Sequence, residues 1–244
     1  LGVFPHIMPE LTAMKGTTQS LPHIYDVWEH TLSVLRHLSG ILAALRVGYS
    51  AEETNDMFTG LLTLRLGRYR EQFAAHFAES LNTDRSVRSA LFFAALYHDV
   101  QKPATRTVDE SGRIRFFEHE NKGAEVTVER ARAFNLSNDE VERIQKIILH
   151  HMRFHFFTNR IEGDQKEPSR KAIYRYFRDA GEAGLGDGRI AHALRPEPVV
   201  QSPAHLQHAA VSAHILAQEA DRRVAGHFLV QGFVERIAVG EFTV

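Results

Sequence analysis

Leu91–Thr107 reads LFFAALYHDVQKPATRT. An apolar run ends on an adjacent imidazole and carboxylate, His98-Asp99, and Lys102 and Pro103 follow within about one turn. Val87, Leu91, Phe92, Phe93 and Leu96 make the run apolar on nearly every side. A helix of that kind belongs at the centre of a helical protein. The pattern predicts a helix over 86–99, which Pro103 prevents from continuing. Imidazole and carboxylate are both costly to bury without a partner. A metal ion suits both, since imidazole nitrogen and carboxylate oxygen are common protein ligands.

Upstream, Asp26 and Glu29 have the spacing of a capping box, and Trp28, Leu32, Leu35, Ile41, Leu42 and Leu45 recur at helical intervals. They predict a helix over 25–46 with His30 in its first turns. Before it, Pro5, Pro9, Gly16 and Pro22 surround one short apolar piece, Ile7–Met14, and read as a lead-in with a turn or two of helix. Residues 56–80 are helical in character, with Phe58, Leu61, Leu62, Leu66, Phe73 and Phe77.

Downstream, Thr105–Val108 and Arg113–Phe117 flank Glu110-Ser111-Gly112 and predict a β-hairpin, with His119 directly after it. Helical pattern follows over 121–134. Ser137 and Glu140 form a second capping box, and Val141, Ile144, Ile147 and Ile148 carry a helix down to His150-His151. Polar residues 158–168 read as a loop. Further helices are expected over 169–179, 187–194, 203–225 and 228–238, with Arg195-Pro196-Glu197-Pro198 as a rigid link. The expected fold is all-α: a helical bundle with one small β-hairpin and a C-terminal helical extension. Its expected divisions are a lead-in at 1–22, a main domain at 23–195 and the extension at 196–244.

The chain has 244 residues, 43% hydrophobic and 24% charged, which is ordinary for a globular protein. Its formal net charge of −1 exerts no global pull on nucleic acid or membrane. Cysteine is absent, so no disulfide framework or thiolate metal site exists, and a reducing, cytoplasmic location is expected. No apolar run reaches transmembrane length. The chain opens on Leu1, and it is expected to be a fragment of something longer.

Histidine is abundant, at fifteen residues. Four places combine a metal-type residue with a helix terminus or a buried stripe: His30, His98-Asp99, His119 and His150-His151. The remaining histidines, from His6 to His227, are read as structural or surface residues. A late carboxylate would balance a divalent charge, with Asp187 the first candidate and Asp179 the second. Such a set suits one or two divalent ions: Mn, Fe, Ni, Co, Zn or Mg. An aspartate flanked by histidines on both sides could bridge two of them. A metal lowers the pKa of bound water from about 15.7 to about 7, which supplies hydroxide at neutral pH. Lys102 and Arg106 could meet phosphate oxygens. No activated serine, cysteine or P-loop competes. The residues therefore support metal-assisted hydrolysis, with Asp99, Lys102 and His119 as the catalytic candidates and Lys102, Arg106 and His119 as substrate-binding candidates.

The order His30, His98-Asp99, late aspartate resembles that of the HD-domain metal-dependent phosphohydrolases. The segments PHIYDVWEHTLSVLRHL, LFFAALYHDVQKPATR, GRIRFFEHENKGAEV and ILHHMR, and the lead-in PELTAMKGTTQSLPH, are similar to the HD domain of bacterial tRNA nucleotidyltransferases, the CCA-adding enzymes. The resemblance implies His30, His98, Asp99 and Asp187 as metal ligands, with His119, His150 and His151 at a second metal or on the phosphate side. It implies phosphodiesterase, phosphatase or nucleotidase activity on nucleotides and cyclic phosphates. Gln101 stands where that family has glycine. No glycine-serine loop with paired aspartates precedes the HD region, so the nucleotidyltransferase head is expected to be absent. A second reading is an RNA-binding body module with tRNA as partner, for which Arg153, Arg160, Lys166, Arg170, Lys171, Arg175 and Arg178 are the candidate backbone contacts.

Overall fold

The fold is that of a computed structural model, which describes residues 4–21, 23–44, 46–49, 70–164 and 169–180. These residues form α1 (Phe4–Ile7), a 3-10 turn (Pro9–Met14), α2 (Val27–Ala44), α3 (Arg70–Ala78), α4 (Val87–Tyr97), α5 (Lys102–Thr105), β1 (Arg106–Val108), β2 (Ile114–Phe116), α6 (His119–Ala133), α7 (Asn138–Asp164) and α8 (Arg170–Ala180). The described part is thus mostly helical with one hairpin, as expected. The segments proposed at 187–194, 203–225 and 228–238, most of 56–80, and Asp187 lie outside the described residues.

Helix α4 is the central element. It packs against α2 and α7, and α6 lies along α7. Leu91, Ala94, Ala95 and Tyr97 are fully buried among Val34, Leu38 and Ile41 of α2 and Ile144, Ile147 and Ile148 of α7. Each large aliphatic side chain buried in this way contributes about 1.5–3 kcal/mol. Ser86 caps the helix by accepting a hydrogen bond from Ser89 N. The helix is slightly shorter than the predicted 86–99. It ends at Tyr97 with His98 as its C-cap, which leaves Asp99 on the turn before Lys102 and Pro103 open α5.

The capping residues act largely as their spacing implies. Asp26 Oδ1 accepts from Glu29 N at 2.8 Å and starts α2. Its other oxygen accepts from Gly16 N at 2.8 Å, which pins the lead-in to the helix. Ser137 Oγ accepts from Glu140 N, and Glu140 Oε2 accepts from Ser137 N at 2.7 Å, a reciprocal capping box. Glu140 also receives Arg85 Nε and Nη2 at 2.6 and 3.0 Å. That contact joins α7 to the turn before α4.

Other boundaries also differ from the sequence expectation. Helix α7 continues through 158–164, where a loop was expected. That stretch is polar but contains no proline, and a single Gly163 costs a helix only about 1 kcal/mol. Helix α6 starts at His119 rather than 121, so His119 is its first residue. The residue before it, Glu118, adopts the left-handed conformation at φ 60 and ψ 19, which turns the chain sharply from β2 into α6. Thr105, expected in the first strand, closes α5 instead. The hairpin pairs Arg106 with Phe116 and Val108 with Ile114.

The lead-in belongs to the same core. Leu11 and Met14 are fully buried in it. Glu10 accepts from Tyr97 Oη at 2.7 Å and from Arg130 Nε and Nη2 at 2.7 and 2.9 Å. Ser20 Oγ accepts from Ile114 N at 2.7 Å, so the lead-in also touches the hairpin.

Candidate metal centre

Four elements deliver one histidine each to Asp99. His30 comes from α2, His98 from the end of α4, His119 from the start of α6 and His151 from the middle of α7. Asp99 is 1% exposed, and all four imidazoles are buried with it. The Nε2 atoms of His30 and His98 lie 3.6 and 3.1 Å from Asp99 Oδ2. Those of His119 and His151 lie 3.4 and 3.8 Å from Oδ1. One carboxylate therefore faces two pairs of imidazoles, one pair at each oxygen. Among the described residues, the groups with metal-binding geometry are His30, His98, Asp99 and Asp99, His119, His151, and they share Asp99.

The backbone fixes how three of these rings present themselves. Nδ1 of His98, His119 and His151 lies 2.8, 2.8 and 2.6 Å from the carbonyls of Ala95, Phe116 and Ile148, each three residues earlier. A carbonyl oxygen only accepts, so each Nδ1 carries the proton and donates. In the neutral ring Nε2 then presents a lone pair toward Asp99. A metal-binding histidine typically has such a partner on its second nitrogen.

The electrostatics agree. Burial holds the His30 imidazole well below the ordinary histidine range, against the pull of Asp99. Burial does the same to His151, helped by His119 and His98. Burial alone would raise the Asp99 carboxyl, but His98 and Lys102 beside it hold it well below the carboxylate range. The centre is thus an ionised carboxylate with two imidazoles beside it, His30 and His151, that burial keeps from taking up a proton.

That arrangement asks for a cation. His119 Nε2 and His151 Nε2 are 3.2 Å apart. With both Nδ1 atoms protonated, two lone pairs face each other and Oδ1. His98 Nε2 and both Asp99 oxygens are buried without a hydrogen-bond partner. Lys102 Nζ, 2.8 Å from Oδ2, forms an ion pair that lacks hydrogen-bond alignment. Buried orphaned acceptors of this kind are costly. Two imidazoles and a carboxylate oxygen per group are a donor set that divalent transition metals favour, so the residues present fit a metal.

The remaining candidates are distributed differently. Lys102 is buried, with its ammonium also donating to Gln19 Oε1 at 2.8 Å and lying 5.4 Å from the Phe116 ring centre. Arg106 is exposed at the start of β1. His150 joins neither metal-binding group. It is half-buried and hydrogen-bonds to the Asp179 backbone, and burial, with Arg153 nearby, lowers its pKa. The Asp179 carboxylate is engaged by Arg153 Nη1 and Arg178 Nε, both at 2.7 Å. Gln101 sits at φ −99 and ψ 5, a backbone conformation that needs no glycine. Two residues at the site's edge escaped the sequence reading. Gln19 reaches Lys102, and His23, read as structural, brings its ring to 5.4 Å from that of His30. The available signal for both was the family-like character of the lead-in.

Two comparisons with known proteins bear on this centre. Residues 70–180 match the model of the family described as HD domain. The match begins after His30, which the geometry nonetheless brings to Asp99. The CC-adding tRNA nucleotidyltransferase of Thermus thermophilus is 31% identical over 180 residues, 72% of this chain and 28% of that protein. The chain thus spans less than a third of the length of this curated relative. Among the described residues, no helix is long and apolar enough to cross a membrane.

Proposed function

We propose that this chain, which carries an HD domain over residues 70–180, is a metal-dependent phosphohydrolase acting on nucleotides or cyclic phosphates. HD domains belong to a superfamily of metal-dependent phosphohydrolases. The observation that carries the reading is the division of Asp99, with one oxygen facing His30 and His98 and the other facing His119 and His151. In this reading His30, His98 and Asp99 would hold one divalent ion, and Asp99, His119 and His151 would hold another. Asp187 is the candidate to complete the first group. His150, turned toward the Asp179 backbone, is not part of the proposed ligand set.

A divalent ion, when bound, supplies a nucleophilic water at neutral pH and positive charge for phosphoryl oxygens. The chain's own residues do the rest. The carbonyls of Ala95, Phe116 and Ile148 keep the three Nε2 lone pairs aimed inward. The buried walls exclude bulk water, which strengthens every charge interaction inside. Lys102 brings a cation beside Asp99 for a phosphate oxygen of the substrate, and Arg106 offers a second from the rim.

Hydrolysis of bis(p-nitrophenyl) phosphate and of 2′,3′-cyclic nucleotides, measured with Mn, Ni, Co, Mg and Fe, tests the reading. Metal-dependent turnover that Asp99→Ala abolishes is the expected result, and no turnover with any metal would overturn it. The likeness to a tRNA nucleotidyltransferase favours a second reading, an RNA-binding body module. Of its candidate contacts, Arg153 and Arg178 are already engaged with Asp179, while Lys171 and Arg175 are exposed. Salt-sensitive tRNA binding without turnover would favour that reading.

A further inference from the structure

Gln19 lies in the lead-in, some eighty residues before the ammonium it meets. Its Oε1 accepts from Lys102 Nζ at 2.8 Å, and its Nε2 donates to the Tyr25 carbonyl at 3.4 Å. The two partners settle the orientation of the amide. An ammonium only donates, so the oxygen must face it, and a carbonyl only accepts, so the nitrogen must face that. The lead-in itself is anchored on both sides of this contact, by Glu10 to Tyr97 and Arg130, by Asp26 to Gly16, and by Ser20 to Ile114. Gln19 is therefore held by a braced segment.

We propose that Gln19 is a positioning residue that holds the Lys102 ammonium at the Asp99 oxygen facing His30 and His98, where it meets a phosphate oxygen of the ligand. The residue type supports this. A glutamine accepts from the ammonium without adding charge, so Asp99 remains the one carboxylate paired with Lys102 among the described residues. A glutamate at the same position would lose the bond to Tyr25, compete for the ammonium and repel phosphate. An aliphatic residue would leave a long, flexible lysine chain held on one side only, and part of the binding would go to ordering it. The side chain of Lys102 is buried beside Phe116, so its reach is short and its direction matters.

This inference rests on the proposed phosphate chemistry of the site, and a binding measurement separates the two. Inorganic phosphate is titrated calorimetrically into the metal-loaded protein, as wild type, Gln19→Ala, Gln19→Glu, Lys102→Ala and the double variant Gln19→Ala/Lys102→Ala, with the melting temperature of each recorded. Gln19→Ala is expected to weaken phosphate binding about three- to tenfold, the size of one hydrogen bond. Gln19→Glu should weaken it further. In the Lys102→Ala background, Gln19→Ala should change nothing more, because Gln19 acts through the lysine. An equal loss in both backgrounds, or no loss in either, would overturn the proposal. If phosphate binding behaves as expected while no phosphoester is turned over, the positioning role stands and the hydrolase reading falls. Wild-type protein that does not bind phosphate at all would overturn both.

Discussion

His119 and His151 bring their Nε2 atoms to 3.2 Å from each other while both Nδ1 atoms donate to backbone carbonyls. Neither ring can satisfy the other in its neutral form, and Asp99 Oδ1 adds a third acceptor to the same space. A divalent ion that binds the folded state resolves this contact and stabilises the fold by mass action, by about 2.7 kcal/mol at a hundred times its Kd. Thermal unfolding with and without Mn should show the shift, and a chelator should reverse it. His151→Ala should reduce it. A shift of wild-type size in His151→Ala would show that the ion sits elsewhere.

Glu140 makes stability depend on acid. Its hydrogen bond from Arg85, with the Ser137 cap, holds its carboxyl at about 2. The folded value lies below the unfolded value of about 4.3, so the contribution is present above pH 4.3 and is lost as pH falls toward 2. Arg85 is partly exposed, so solvent screening weakens the effect. Urea unfolding across pH 2–6 should show this loss in wild type and a flatter profile in Glu140→Gln. Identical profiles would contradict the assignment.

Much of this fold could be read in the chain, and what could not be read has a physical reason. The apolar character of α4, the Ser137/Glu140 cap and the hairpin around Gly112 are local patterns, with side chains and backbone groups meeting within a few residues. His98-Asp99 stood out because two polar groups close an apolar helix. Arg85–Glu140, Glu10–Arg130 and Gln19–Lys102 are contacts between distant segments, and no periodicity marks them. His150 and His151 illustrate the limit well. Adjacent positions on a helix point about 100° apart, so at most one of the pair could face Asp99, and spacing alone did not say which. Residues 158–164 read as a loop from polarity, although polarity describes an exposed helix equally well.

Glu118 stands at φ 60 immediately before His119. A left-handed conformation costs an ordinary residue about 1–2 kcal/mol, and a glycine escapes that cost while losing about 0.5–1 kcal/mol through its freer unfolded chain. Glu118→Gly should therefore leave stability unchanged or slightly raised. A β-branched residue tolerates this region worst, so Glu118→Val should lower stability by about 1–2 kcal/mol. Chemical denaturation of both variants decides it. Equal effects of glycine and valine would mean that the turn does not constrain His119.

Glu10 serves three donors from two helices. Glu10→Ala leaves the Tyr97 hydroxyl and the Arg130 guanidinium without their shared acceptor, at a cost of about 1–3 kcal/mol. Glu10→Gln should recover part of this. Because Tyr97 adjoins His98, the alanine variant should also weaken metal binding, which titration of the variant checks. Full stability in Glu10→Ala would show that the lead-in is not braced as described.

Asp99 is shared by the two groups that could each hold a metal ion. Calorimetric titration of Mn into wild type, His30→Ala, His151→Ala and Asp99→Ala tests it most directly. Wild type should bind two ions per chain, matching its two groups, each histidine variant one and Asp99→Ala none. Retention of both ions by Asp99→Ala would contradict it.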